Sequence, residues 1–172
     1  MAPVADDGPS LQQQLVLLRR ADAVARRAMG MGRHPFGAVL VAPDHDTVLA
    51  EQGNIDTVHH AEATLARLAS LNWPADYLWR CTLVTTFEPC AMCAGTIYWA
   101  HIGRVLFGAS EASLLAITGN HPENPTLSLP CREVFASGQK KLAVIGPVPD
   151  LQDELLQTHQ GFWASRAGSA QT

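Results

Sequence analysis

Two short clusters constrain this chain more than anything else in it. His60-Ala61-Glu62 comes first, and Glu88-Pro89-Cys90-Ala91-Met92-Cys93 follows. An H-x-E triplet alone is common by chance, and a C-x-x-C alone is a redox pair or half of a metal knuckle. Both together, with Pro89 directly before the first cysteine, form a much more specific pattern. They require a fold in which two separate helix starts meet.

The local sequence places both clusters at such starts. Ala61, Leu65 and Leu68, with Ala66 and Ala69 beside them, predict an amphipathic helix to about Leu71, with His60 and Glu62 in its first turn. Pro89 suits the first turn of the next helix, where its missing N–H would be unpaired anyway, and that helix runs to about Ala100. Residues three apart share a helix face, so Cys90 and Cys93 can grip one ion. A helix N-terminus favours negative charge and therefore thiolates. With His60 as the third ligand, an S, S, N donor set leaves a tetrahedral position open, the layout of a catalytic rather than a structural zinc. Glu62 is a candidate proton carrier beside that position. Periodicity alone does not bring it there, and a solvated helix carboxylate is the other reading. For the whole cluster the alternatives are a structural zinc or a thiol pair, although C-x-x-C plus one His lacks a fourth structural ligand. His59 lacks the H-x-E spacing. His34, His45, His101, His121 and His159 lack ligand spacing and read as structural or exposed.

Elsewhere the pattern alternates. Ser10 caps a helix over about 11–29, with Arg19, Arg20, Arg26 and Arg27 on its solvated side. Ala38–Ala42 and Thr47–Gln52 form a hairpin around Pro43-Asp44-His45-Asp46. Cys81–Phe87, Arg104–Gly108 and Lys141–Gly146 read as strands, and Glu111–Ile117 and Arg132–Ala136 as short helices. A last helix carries Leu151, Leu155, Leu156, His159, Phe162 and Trp163 on one face. A hairpin followed by strands alternating with helices implies an α/β sandwich with a mixed sheet. The expected organisation is a disordered tail over 1–10, a single domain over 11–164 and a frayed end over 165–172.

Composition narrows the partners. The formal net charge is −4, against a nucleic-acid surface. No apolar run approaches the roughly 20 residues of a membrane span. The first ten residues lack the basic and apolar regions of a signal peptide. Four cysteines suit a reducing cytoplasm better than a disulfide scaffold.

The clusters resemble those of the cytidine deaminase-like superfamily, and within it the branch of bacterial guanine deaminases and tRNA adenosine deaminases. The resemblance runs from about Ala21 to Gly108. It rests on Pro35-Phe36-Gly37-Ala38-Val39, on Asn54 before His60-Ala61-Glu62, and on Glu88 through Gly95. It implies a three-layer α/β/α sandwich with a five-stranded mixed sheet, a homodimer, and hydrolytic removal of an exocyclic amine with release of ammonia. It implies zinc on His60, Cys90 and Cys93, Glu62 as proton shuttle, and Glu88 as a carboxylate that either supports the metal ligands from behind or positions backbone, with a strand-end surface charge as the other reading. Asn54 would bond the base and Phe36 would pack on it. Ile97-Tyr98-Trp99-Ala100 is similar to a guanine deaminase motif in which the Trp helps enclose the purine. The expected substrate is a purine base, guanine first, or a related aminated heterocycle or nucleoside. A tRNA adenosine deaminase and a non-catalytic zinc scaffold are the alternatives.

Overall fold

The computed structural model describes residues 7–119 and 121–167. Five strands form one sheet in the order β2-β1-β3-β4-β5. They are β1 (Gly37–Val41), β2 (Val48–Gly53), β3 (Thr82–Phe87), β4 (Arg104–Ala109) and β5 (Ala143–Ile145). β1 runs antiparallel to both β2 and β3, while β3–β4 and β4–β5 are parallel, so the sheet is mixed.

Side-chain alternation in the central strands builds the two outer layers. Val39, Val41, Val84 and Leu106 point to one face, where α1 (Leu11–Gly30) and α7 (Pro149–Ala167) cover them. Ala38, Leu40, Leu83, Val105 and Phe107 point to the other. There α2 (Ala61–Asn72), α3 (Ala75–Leu78), α4 (Ala91–Trp99) and α6 (Cys131–Ala136) pack on them. The result is an α/β/α sandwich. With both faces covered, β1, β3 and β4 are buried along their whole length, and their residues are mostly apolar or threonine. α1 lies so close to β1 that a Cβ at Gly37 would overlap Ala21 O and Ala25 N, which explains the glycine in Pro35-Phe36-Gly37.

Several boundaries differ from expectation. α3 is absent from the sequence reading because Trp73-Pro74 reads as a simple break. β5 is shorter than Lys141–Gly146, and α7 begins at Pro149, because proline at the first helical position starts a helix as readily as it stops a strand. α7 continues to Ala167, beyond the frayed end expected from 165, and 168–172 lie outside the described residues. At the other end, residues 1–6 lie outside the described residues, but Asp7–Ser10 are bound to the body. Arg104 pairs with Asp7 at 3.2 Å, His45 donates to Asp7 O at 2.6 Å, and Gln14 donates to Pro9 O at 2.8 Å.

Among the described residues no helix is long and apolar enough to cross a membrane.

Candidate active site

The two parallel strands β3 and β4 end side by side, and their carboxyl ends deliver the chain into a cavity of about 360 Å³. Three helix N-termini open around it. Cys90 is the N-cap of α4, His60 the N-cap of α2, and Ser110 the N-cap of α5 (Glu111–Thr118). Neither Cys90 nor His60 makes a side-chain capping bond. Their side chains turn toward each other instead: His60 Nδ1 lies 3.7 Å from Cys90 Sγ and 3.6 Å from Cys93 Sγ.

The donor set fits a zinc ion. Tetrahedral zinc, with bonds of about 2.3 Å to sulfur and about 2.0–2.1 Å to nitrogen, separates N from S by about 3.6 Å. The three ligand atoms all lie within 4.8 Å of one another. Charge is arranged to match. The hydrogen bond from Cys93, with help from His60, brings the Cys90 thiol down to about 4 against the opposing effect of burial. Giving that bond, together with burial, pushes Cys93 up. His60 is raised, chiefly by its hydrogen bond with Cys90.

Glu62 is buried beside this cluster. Its Oε1 accepts from Thr85 Oγ1 at 3.0 Å, and Oε2 lies 3.6 Å from Cys93 Sγ. Burial raises its pKa, which makes a protonated carboxyl accessible. Glu88 is also buried, but it is used structurally: it accepts the backbone N–H of Cys131 at 3.1 Å and of Glu111 at 3.3 Å. It thereby pins the starts of α6 and α5 to the end of β3.

The rest of the cavity comes from residues whose role the sequence does not announce. Glu111 and Glu123 line it, as does His34. Burial, then the negative charge of Cys90, Glu62 and Glu88, raises Glu111 to about 7. Glu123 is held by His34 at 3.2 Å and by Arg166 of α7, and the His34 hydrogen bond keeps its pKa low. Arg166 also donates to Gly32 O at 2.9 Å, so the end of α7 straps the loop before β1 to the loop after α5. A usable signal existed for Glu111, which follows β4 just as Glu88 follows β3, and strand ends of this kind are where α/β sheets place their sites.

Phe36 forms a cavity wall with Phe87 and Leu114. Behind that wall His159 is buried against the rings of both Phe36 and Phe87, at centroid distances of 4.9 and 4.3 Å. Asn54 is 2% exposed, and its Oδ1 has no partner. It is not among the residues lining the cavity, although Thr57 in the same loop is. The structure does not bring Trp99 to the cavity. It is 75% exposed and borders a surface groove with Arg67 and Met92. Six residues past Cys93, a helix has advanced about 9 Å and turned about 120° off the cysteine's direction. Within this chain Trp99 is therefore neither a wall of this cavity nor a core residue.

Residues 11–109, more than half of the chain, match the family described as the cytidine and deoxycytidylate deaminase zinc-binding region. The chain belongs to this zinc-dependent deaminase family. A probable cytosine deaminase of Schizosaccharomyces pombe is 35% identical over 88% of this chain and 93% of its own. A guanine deaminase of Bacillus subtilis is 39% identical over 55% of this chain and 63% of its own. The solved guanine deaminase of Nitrosomonas europaea shares the fold at a TM-score of 0.63 and 19% identity, covering 86% of this chain and 83% of that one. The deaminase is thus a zinc-dependent hydrolase acting on nucleobases or nucleosides, and His60, Cys90 and Cys93 are close enough to bind its metal.

Proposed function

We propose that this deaminase hydrolyses the exocyclic amine of a free purine base, guanine first, and that His60, Cys90 and Cys93 hold the zinc while Glu62 moves the proton. The observation that carries the reading is a buried carboxyl group beside an S, S, N donor set in a cavity with no Lys or Arg among its lining residues. A phosphate or a nucleic-acid backbone needs cations there. A neutral, amine-bearing heterocycle meets acidic acceptors instead.

When bound, the zinc supplies Lewis acidity that lowers the pKa of a water molecule to about 7. The chain does the rest. Thr85 anchors Oε1 of Glu62 and leaves Oε2 to take the water's proton. The raised pKa lets the same carboxyl hold that proton and deliver it to a ring nitrogen, then take the proton of the hydroxyl added to the ring carbon and pass it to the departing amine. Phe36 and Phe87 give the planar base an aromatic wall. Asn54 lies behind the lining, in the loop that brings Thr57 to the cavity, and its unpartnered Oδ1 is the acceptor assigned to a base N–H.

Cytosine is the second reading. It is favoured by the near-full-length similarity to the probable cytosine deaminase, and by the position of Trp99 away from the cavity. The resemblance also implies a homodimer, which sedimentation tests. None of the four cysteines is in a disulfide, which suits the cytoplasm. The test of function is ammonia release by zinc-loaded protein over guanine, cytosine, adenine, their nucleosides and aminated triazines. Turnover of guanine supports the first reading, and turnover of cytosine alone moves the assignment to the second. Activity only on tRNA, with steep salt dependence, would overturn both.

A further inference from the structure

Four carboxylates line the cavity: Glu62, Glu88, Glu111 and Glu123. Three are engaged by the protein. Thr85 donates to Glu62, two backbone N–H groups donate to Glu88, and His34 with Arg166 holds Glu123. Among the described residues the Glu111 side chain has no hydrogen-bond or ion-pair partner, so its carboxylate is open to a donor on what fills the cavity.

Its position is nevertheless fixed. Glu111 is the first residue of α5, one residue past the end of β4, and its backbone N–H is bonded to Glu88 Oε2 at 3.3 Å. The preceding Ser110 caps the helix by accepting from Ser113 N at 3.1 Å. A helix start pinned from the neighbouring strand end holds the Glu111 backbone at the cavity, so only its side-chain rotamers remain to be ordered when a ligand meets it. Leaving such a group unmet in a half-buried cavity has a cost that a donor on the ligand removes.

We propose that Glu111 is a specificity-determining residue that accepts a hydrogen bond from a ring N–H or amino group of the bound heterocycle, on an edge other than the one that reacts. The inference rests on the reading of this cavity as a nucleobase site. Its consequence is discrimination: a base that keeps the donor is favoured over one in which methylation or glycosylation has removed it. A hydrogen-bonding site rejects a ligand lacking its partner far more strongly than an apolar pocket rejects a change of size.

The experiment measures kcat/KM for zinc-loaded wild type, Glu111→Gln and Glu111→Ala. The substrates are the base that the wild type turns over best and its derivatives methylated at each ring N–H in turn. In the wild type at least one methyl derivative is expected to lose about tenfold or more. In Glu111→Ala that penalty should shrink to within about threefold, with the loss on the parent base carried mainly by KM. Glu111→Gln keeps the volume and one acceptor and should fall between them. Equal methylation penalties in wild type and Glu111→Ala would overturn the proposal, as would an unchanged kcat/KM on the parent base. Calorimetric binding of the same bases to Glu62→Gln protein makes the comparison without turnover. If the wild type deaminates bases but the penalties do not move, only the role of Glu111 fails. If no base is bound or turned over, the nucleobase reading fails with it.

Discussion

His159 should make this enzyme lose stability on acidification by an amount that can be isolated. Its imidazole is 1% exposed, donates from Nε2 to Pro35 O at 2.8 Å, and accepts from Trp163 Nε1 at 3.2 Å through Nδ1. A proton on Nδ1 would remove that acceptor and set two N–H groups against each other. Burial is the main cause that takes the pKa from 6.5 to about 4. At about 1.4 kcal/mol per pH unit, this depression favours the neutral ring by about 3 kcal/mol. The unfolded chain takes up the proton below about pH 6.5 and the folded chain does not. The contribution is therefore fully present above that pH and is lost as pH falls toward 4. Between pH 8 and pH 5 the loss is about 2 kcal/mol. The rings of Phe36 and Phe87 oppose this, since aromatic faces attract a cation by about 0.5–2 kcal/mol. The clash at Nδ1 and the desolvation together outweigh that attraction. Urea denaturation of zinc-saturated wild type and His159→Gln at pH 8, 6.5 and 5 is the assay. Other titrating groups, His34 and the zinc ligands included, are common to both proteins and cancel in the difference. The stability gap between the two should narrow by about 2 kcal/mol from pH 8 to pH 5. A gap that stays constant, or widens in acid, would refute the neutral-imidazole argument.

Glu62→Gln should keep one zinc per chain and the melting temperature while kcat falls about 10²–10⁴-fold; metal analysis alongside ammonia release checks this. Trp99→Ala should change unfolding free energy by no more than about 1 kcal/mol, because Trp99 is 75% exposed and a core Trp lost to Ala costs about 3–5 kcal/mol. Its kcat/KM should match the wild type, and a selective loss on purines would return Trp99 to the substrate site. Asn54→Ala should lower kcat/KM by about 1–3 kcal/mol with zinc content retained, and unchanged kinetics would show that Asn54 Oδ1 meets no substrate.

How far the sequence exposes this site depends on how each group is carried. His60 and Glu62 sit on one helix start, and Cys90 and Cys93 on another, so a window of a few residues contains each pair with its spacing. The strands are legible for a similar local reason: β1, β3 and β4 are buried on both faces, so β1 and most of β4 are apolar runs and β3 is rich in Thr and Val. Trp99 shows the limit of local reading even inside a recognised motif. Its distance from Cys93 along the chain is small, but helical phase turns it away from the cavity to the surface.

The groups that shape the rest of the cavity share no window at all. Glu111 arrives from the end of β4, Glu123 from the loop after α5, and His34 from the loop after α1. Glu88 holds the Glu111 backbone, and α7 joins the other two: Arg166 binds Glu123 and Gly32 O, while His159 and Trp163 back the aromatic wall. In the sequence α7 is an ordinary amphipathic helix, because its contribution to the site lies in which residues it holds together. The chemistry of amine removal is thus set by two local motifs, while the shape and hydrogen-bonding character of the cavity depend on contacts made across the whole chain. A change in α7 far from the zinc ligands should therefore alter which base is accepted before it alters how the amine is removed.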